Sequence, residues 1–291
     1  MSKSAGATTV ARVNGIELGY QIFGTGSPLI LLHGGFGSVE MFGPNVELLA
    51  AGRRVIGVDL QSHGRSPAAD RPMRFETMAD DIAALIKELK LERVAIMGFS
   101  LGGAVGLRTA IQHPELVERL VLLSTVFKRS GWYPEMTAGM DAMGPETAEP
   151  LKHSPMYEAY SRIAPRVDDW PVLVTQLTTA LKIDYDWSAE VARLPMPVMI
   201  VIGDADGIPP SHAVEFFGLL GGGKRDAHSY EHYDRDSGIS VYTAPSVKKG
   251  FFLYFDPIDT LPVDYQRRWH DLKEAQQMVD DAINEAQPQK R

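Results

Sequence analysis

The sequence predicts an α/β protein: a mostly parallel sheet with helices on both faces and a helical lid inserted into it. Three observations carry this. Short, continuously apolar runs alternate with amphipathic ones from Pro28 to Thr125. The rhythm stops between residues 126 and 194, where Met, Trp, Tyr and Pro abound without a convincing strand. It returns in MPVMIVIGDAD, residues 196–206. Alternation of strand and helix is the pattern of a parallel sheet covered on both sides.

Taken in order, PLILLHGG (28–35), RRVIGVDL (53–60), RVAIMGF (93–99) and LVERLVLLST (116–125) read as strands, and their unbroken apolar character fits burial on both faces. TMADDIAALIKELKLE (77–92) reads as a helix, capped by Thr77 with Asp80 at its third position and with Ile82, Leu85, Ile86 and Leu89 at helical spacing. A further helix runs from Ser100 to the stop at Pro114. MYEAYSRIA and WPVLVTQLTTALK read as helical fragments of the lid. The expected organisation is therefore a core of residues 1–125 and 195–291, with an atypical C-terminal tail, and a lid of residues 126–194.

Composition narrows the function. The 291 residues hold 29 basic and 37 acidic side chains, a net charge of -8, with no basic cluster, which argues against a nucleic-acid partner. The absence of cysteine excludes disulfides, thiolate catalysis and zinc-thiolate sites. No run is long and apolar enough to span a bilayer and the N-terminus shows no apolar signal segment, so the expectation is a soluble, cytoplasmic protein without a membrane partner.

The chemistry centres on VAIMGFSLGGAVGLRTA, where Gly98 and Gly102 flank Ser100. Chance alone would give a G-x-S-x-G match about 0.15 times in a chain of this composition, so the match is weak by itself. Its setting discriminates, because the motif follows a predicted strand and opens a predicted helix, as a strained turn presenting a nucleophilic serine requires. An ordinary helix cap is the bland alternative. Upstream, His33, Gly34 and Gly35 end a strand, where the Gly35 N–H can join that of Leu101 in an oxyanion hole. Downstream, VIGDADGIPP ends another strand with two carboxylates, Asp204 and Asp206.

With HGG at 33–35, VDLQSHGRS at 58–66, GFSLGG at 98–103 and GDAD at 203–206, the chain resembles the α/β-hydrolase superfamily over residues 12–220. The resemblance is closest to the small serine hydrolases that include carboxylesterases and cofactor-free haloperoxidase or perhydrolase relatives. It implies the α/β-hydrolase fold, and it implies that the second carboxylate of G-D-x-D, Asp206, is the triad acid while Asp204 organises the turn.

Triad order on such a fold is Ser, Asp, His, so the base is sought after Asp206 among His212, His228, His232 and His270. SHAVEFFGLLGGG supplies a helix, RDAHSY a short strand and EHYDRDSG a loop, which places His232 at the carboxyl edge and His228 on the strand itself. His212 starts a helix. His270 lies beside a stripe of Tyr265, Trp269, Leu272, Gln276, Val279 and Ile283 on a C-terminal helix. His33, His63 and Asp59 read as scaffold. His113 precedes a helix-ending proline and His153 lies in the lid, while Asp70, Asp80 and Asp81 read as solvated charges. Residues 184–190, DYDWSAE, lack the glycine and ligand series of a calcium loop, and no metal site is read. The lid residues Trp132, Tyr133, Met136, Met140, Met143, Met156 and Tyr157 suit either a soft acyl pocket or the lid's own core.

The expected function is hydrolysis of a small to medium carboxylic ester through Ser100, His232 and Asp206, with no cofactor, a small-molecule acyl substrate and no indicated oligomer. The alternatives are a perhydrolase or a C–C or lactone hydrolase on the same triad, or an inactive ligand-binding relative.

Overall fold

The computed structural model describes residues 8–203, 205–221, 233–234, 239–240 and 250–253. The strands are β1 (Thr9–Val13), β2 (Ile16–Phe23), β3 (Ser27–Leu32), β4 (Arg53–Val58), β5 (Val94–Phe99), β6 (Val117–Leu123), β7 (Val198–Val201), a two-residue pair β8 (Tyr233–Asp234) and β9 (Ile239–Ser240), and β10 (Gly250–Leu253). The helices are α1 (Asn45–Ala50), α2 (Phe75–Glu88), α3 (Leu101–Gln112), α4 (Pro134–Ala142), α5 (Ala148–Leu151), α6 (Pro155–Ile163), α7 (Trp170–Leu181), α8 (Ser188–Val191) and α9 (Pro210–Leu219).

Eight strands form one sheet in the order β1-β2-β4-β3-β5-β6-β7-β10, while β8 and β9 pair apart from it. Pairing is parallel from β4 to β10 and antiparallel where β1 meets β2 and β2 meets β4. The expected α/β class is found, as are the strands read at residues 28–35, 53–60, 93–99, 116–125 and 196–206. The β1–β2 hairpin is an addition that sequence reasoning left out. Its turn is Asn14-Gly15, both at positive φ (48° and 81°), the pairing that a two-residue hairpin loop demands.

The central strands are buried on both faces because alternate residues feed two apolar clusters. In β3, Ile30 and Leu32 join the larger cluster with residues of α2 and α3, whereas Leu29 and Leu31 join Val46 of α1 and Val55 of β4 on the other face. Helices on both faces follow directly from that division.

Two local expectations are corrected. Helix α2 begins at Phe75 rather than after Thr77, because buried Phe75 anchors its first turn, and the Thr77 hydroxyl donates to the Arg74 carbonyl at 3.1 Å instead of capping. Asp81 is not a solvated charge. It is 1% exposed, paired with Arg71 and bonded by Asn14 Nδ2 at 3.1 Å, since this polar position of α2 packs beneath the β1–β2 turn.

Between β6 and β7 the chain makes α4 to α8. Trp170 is the centre of this segment, fully buried, with its indole N–H donating to the Ala148 carbonyl at 2.9 Å and its ring packed by Phe36, Tyr157 and Tyr160. Gln176 of α7 ties the segment to the loop after β4: its amide donates to the carbonyls of Ala69 and Arg71 at 2.7 and 3.0 Å, and its oxygen accepts from Ser62 and Gln61 at 2.8 and 3.2 Å. Among the described residues no helix is long and apolar enough to cross a membrane.

Candidate active site

Because β3 to β7 run parallel, their carboxyl ends gather at one edge, bringing together the loops that begin at His33, Asp59, Ser100 and Ser124 and the turn that holds Asp206. Ser100 joins β5 to α3 with φ 51° and ψ -115°, a conformation that costs a non-glycine residue about 1–3 kcal/mol. Its backbone holds it there: the Ser100 N–H donates to the Leu123 carbonyl at 2.9 Å, and its own carbonyl accepts from Ala104 at 2.9 Å. The hydroxyl makes no cap bond to its helix. That is the outcome the strained turn predicts and the bland cap reading does not. The flanking glycines are required, since a Cβ on Gly98 would overlap the Gly102 carbonyl and one on Gly102 would overlap the Leu32 carbonyl.

Leu101 is the first residue of α3, so its N–H has no acceptor within the helix and points out of its N-terminus. Opposite, the Gly34-Gly35 turn is fixed from below by His33. The Leu60 N–H donates to His33 Nε2 at 2.9 Å, which leaves the proton on Nδ1 to donate to the Gly34 carbonyl at 2.7 Å. Burial lowers the His33 pKa to about 4, so the ring is neutral and committed to this bridge. The Gly34 N–H is taken by Met41 Sδ at 3.2 Å. Gly35, Leu101 and Ser100 line one cavity of about 190 Å³, with Leu177 and Trp132 among its apolar walls.

Asp206 is half-buried, and its Oδ2 accepts from the Ser124 hydroxyl at 2.6 Å and from the Gly203 N–H at 3.4 Å. Ser124, at φ 48° just past β6, is a partner of Asp206 that sequence reasoning missed; the only signal was a serine at a strand's carboxyl end. Asp204, His228, His232 and His270 lie outside the described residues, as do the strand expected at RDAHSY and the apolar stripe from Tyr265 to Ile283. The strand that joins the sheet beyond β7 is β10, which begins 18 residues after His232, so His270 alone of the eight histidines follows it.

None of the described histidines is hydrogen-bonded to Ser100 or Asp206. Besides His33, His63 is fully buried, bonded through Nδ1 to the Gln61 carbonyl at 2.8 Å, with its pKa lowered to about 3 by burial first and by His33 second. Asp59 accepts from the Val39 and Arg65 N–H groups at 2.8 and 2.9 Å, which agrees with a scaffold role. His113 pairs with Asp80 at 2.8 Å on the surface, and His153 is exposed. His212 stacks on Phe127 at 4.3 Å and accepts its N–H at 3.4 Å, and burial lowers its pKa to about 4.

The residues expected of a lid divide. Trp132 and Met140 line the cavity, whereas Tyr157 packs on Trp170, and Met136 and Met156 are 40% and 45% exposed and line none of it. Tyr133 and Met143 do not line it either.

The family model described as the alpha/beta hydrolase fold matches residues 27–155. The AB hydrolase superfamily protein YisY of Bacillus subtilis is 32% identical over 221 residues, 67% of this chain and 80% of that protein. The sn-1-specific diacylglycerol lipase ABHD11 of Danio rerio is 35% identical over 124 residues, and this match spans 41% of the chain but only 39% of that protein's length. Among solved structures, a thermophilic esterase from Thermogutta terrifontis superposes with a TM-score of 0.58 at 22% identity, over 74% of this chain and 86% of that one. The order of the sheet, the serine turn between β5 and α3, and the similarity to YisY over most of its length place this chain in the α/β-hydrolase superfamily.

Proposed function

We propose that the protein is a serine hydrolase of small to medium carboxylic esters. The observation that carries this reading is the meeting of three groups at one cavity: the Ser100 hydroxyl, the Leu101 N–H at a helix N-terminus and the Gly35 turn. In this reading Ser100 Oγ attacks the ester carbonyl while His232 takes its proton. The carbonyl oxygen becomes an oxyanion held by the N–H groups of Gly35 and Leu101. The tetrahedral carbon then expels the alcohol, which receives the proton from His232, and water cleaves the acyl-Ser100 ester by the same steps. Asp206 keeps the imidazole in the productive tautomer. Residues 126–194 act as the lid, and Trp132, Met140 and Leu177 bound the acyl group. A cavity of about 190 Å³ lies below the roughly 300–1,000 Å³ of drug-sized pockets, which favours short acyl chains.

A fluorophosphonate probe tests the nucleophile: labelling of the wild type and none of Ser100→Ala is expected, and equal labelling of both would end the reading. For the base, His228→Ala, His232→Ala and His270→Ala are compared on p-nitrophenyl acetate after each is shown to fold. His232→Ala is expected to fall by at least about 10³-fold. A comparable fall confined to His228→Ala or His270→Ala would reassign the base. No labelling at all would favour a ligand-binding relative.

A further inference from the structure

Apart from Ser100 and the backbone of Gly35 and Leu101, the cavity is lined by apolar side chains and by two polar ones, Arg129 and Tyr185. Backbone pairing sets them side by side. The Arg129 N–H donates to the Tyr185 carbonyl at 2.9 Å, Lys128 and Asp186 form an antiparallel bridge, and the Trp187 N–H donates to the Phe127 carbonyl at 3.0 Å. The Tyr185 ring is clamped by Trp187, stacked at 4.3 Å, and by the edge of Phe75 at 5.2 Å. Burial raises its pKa well above the usual tyrosine value, so the phenol keeps its proton and is a donor; it has no hydrogen-bond partner among the described residues.

The guanidinium is only partly used. Arg129 Nε donates to the Leu181 carbonyl at 3.1 Å and Nη2 to Asp141 Oδ1 at 2.6 Å, while Nη1 has no partner among the described residues. Arg129 is 17% exposed and Asp141 53% exposed, so the carboxylate faces water and the cation faces inward. Arg129 Nη1 and the Tyr185 phenol, neither with an acceptor among the described residues and both on residues that line a small, mostly apolar cavity, are complementary to a carboxylate.

We propose that Arg129 and Tyr185 recognise a second carboxylate of the substrate, so that the preferred ester is the monoester of a short dicarboxylic acid. The inference rests on the esterase reading, with Ser100 acting on the ester and Arg129 receiving the free acid end. Asp141 is then the competing anion: a carboxylate inside the cavity is less screened than Asp141 at the surface, but the two share one cation.

The test compares kcat/KM for monomethyl glutarate and methyl pentanoate by pH-stat titration. The wild type is expected to prefer the acid ester. Arg129→Gln should lower the acid-to-neutral ratio by about 10- to 100-fold, with Arg129→Lys recovering part of it and Tyr185→Phe costing about 3-fold. Asp141→Asn should move the ratio the other way, by about 3-fold. A wild type that favours methyl pentanoate, or a ratio unmoved in Arg129→Gln, would overturn the proposal. If Arg129→Gln fails to fold, the opposite shifts of Tyr185→Phe and Asp141→Asn decide it, and equal ratios in both refute it. Calorimetric titration with glutarate separates the two readings. Binding that needs Arg129 in a chain that hydrolyses neither ester would remove the esterase reading, and with it the ester preference, and keep only the carboxylate site at Arg129 and Tyr185. Hydrolysis of methyl pentanoate without glutarate binding would do the reverse, and neither hydrolysis nor binding would remove both.

Discussion

The Ser124 hydroxyl donates a 2.6 Å hydrogen bond to Oδ2 of Asp206, joining the carboxyl ends of β6 and β7. With the Gly203 N–H on the same oxygen, one side of the carboxylate is fixed, and Oδ1 has no partner among the described residues. An acid oriented in this way suits an imidazole on its open side.

Ser124 should therefore act as a positioning residue. Ser124→Gly keeps the positive φ and removes the hydroxyl, and a hydrogen bond to a carboxylate is worth about 1.5 kcal/mol or more, so kcat should fall roughly tenfold with KM little changed. Steady-state kinetics on p-nitrophenyl acetate with thermal melting as a control measure this. An unaltered kcat would show that Asp206 is held without Ser124.

Three buried imidazoles make stability depend on acid. His33, His63 and His212 have folded pKa values of about 4, 3 and 4, against 6.5 in the unfolded chain. Below pH 6.5 the unfolded chain takes up protons that the folded chain refuses. The stability that rests on keeping the rings neutral is complete above pH 6.5 and is lost as pH falls from there towards 4 and 3. Each ring adds a slope approaching about 1.4 kcal/mol per pH unit within its window. Urea unfolding at pH 7.5, 6 and 5 should show a steep decline, and His212→Gln, whose amide cannot take up the proton, should flatten it. Equal stability at pH 7.5 and 5 would contradict the argument.

The sheet was legible because its central strands are buried on both faces and therefore read as unbroken apolar runs, as in PLILLHGG and RVAIMGF. The serine turn was legible because backbone crowding leaves only glycine at 98 and 102. What escaped depends on contacts far apart in sequence. Asp81 looks solvated until Asn14, 67 residues away, bonds it, and the Ser124–Asp206 bond spans 82 residues. Arg129 and Tyr185 are adjacent only because two short segments pair. The Asn14-Gly15 turn was a local signal and was available, but β1 and β2 precede the strand-helix rhythm on which the fold was read.

Gln176 is the polar clasp between α7 and the loop after β4, with both donors and its oxygen engaged. Gln176→Leu would take the acceptor from the Ser62 hydroxyl and the Gln176 donor from the Ala69 carbonyl at a part-buried site, and leave the Arg71 carbonyl with Gln61 Nε2 alone. The expected cost is about 2 kcal/mol, or a Tm lowered by roughly 5 °C. Differential scanning calorimetry checks it, and a melting temperature within 1–2 °C of wild type, roughly the shift of half a kcal/mol, would mean that water replaces the clasp.

Trp132 should set acyl-chain length, because its side chain lines the cavity that holds Ser100 while its neighbour Met136 does not. Met136 instead lies against Gly207, where an added Cβ would come within 3.1 Å of it, and is 40% exposed. Trp132→Ala removes an indole from the wall and makes room for several methylenes, each worth about 1–3 kcal/mol in an apolar pocket when it is well accommodated. The ratio of kcat/KM for p-nitrophenyl hexanoate over p-nitrophenyl acetate should therefore rise about tenfold or more in Trp132→Ala. The same truncation at Met136 should leave the ratio within about twofold, as a surface change far from such a feature does. Measuring both esters on both variants separates the two roles open to the inserted segment. A larger ratio in Trp132→Ala alone means that this wall bounds the acyl chain. An equal fall on both esters, accompanied by a lower melting temperature, means that Trp132 supports the fold and that chain length is set by other walls, Leu177 and Leu181 among them.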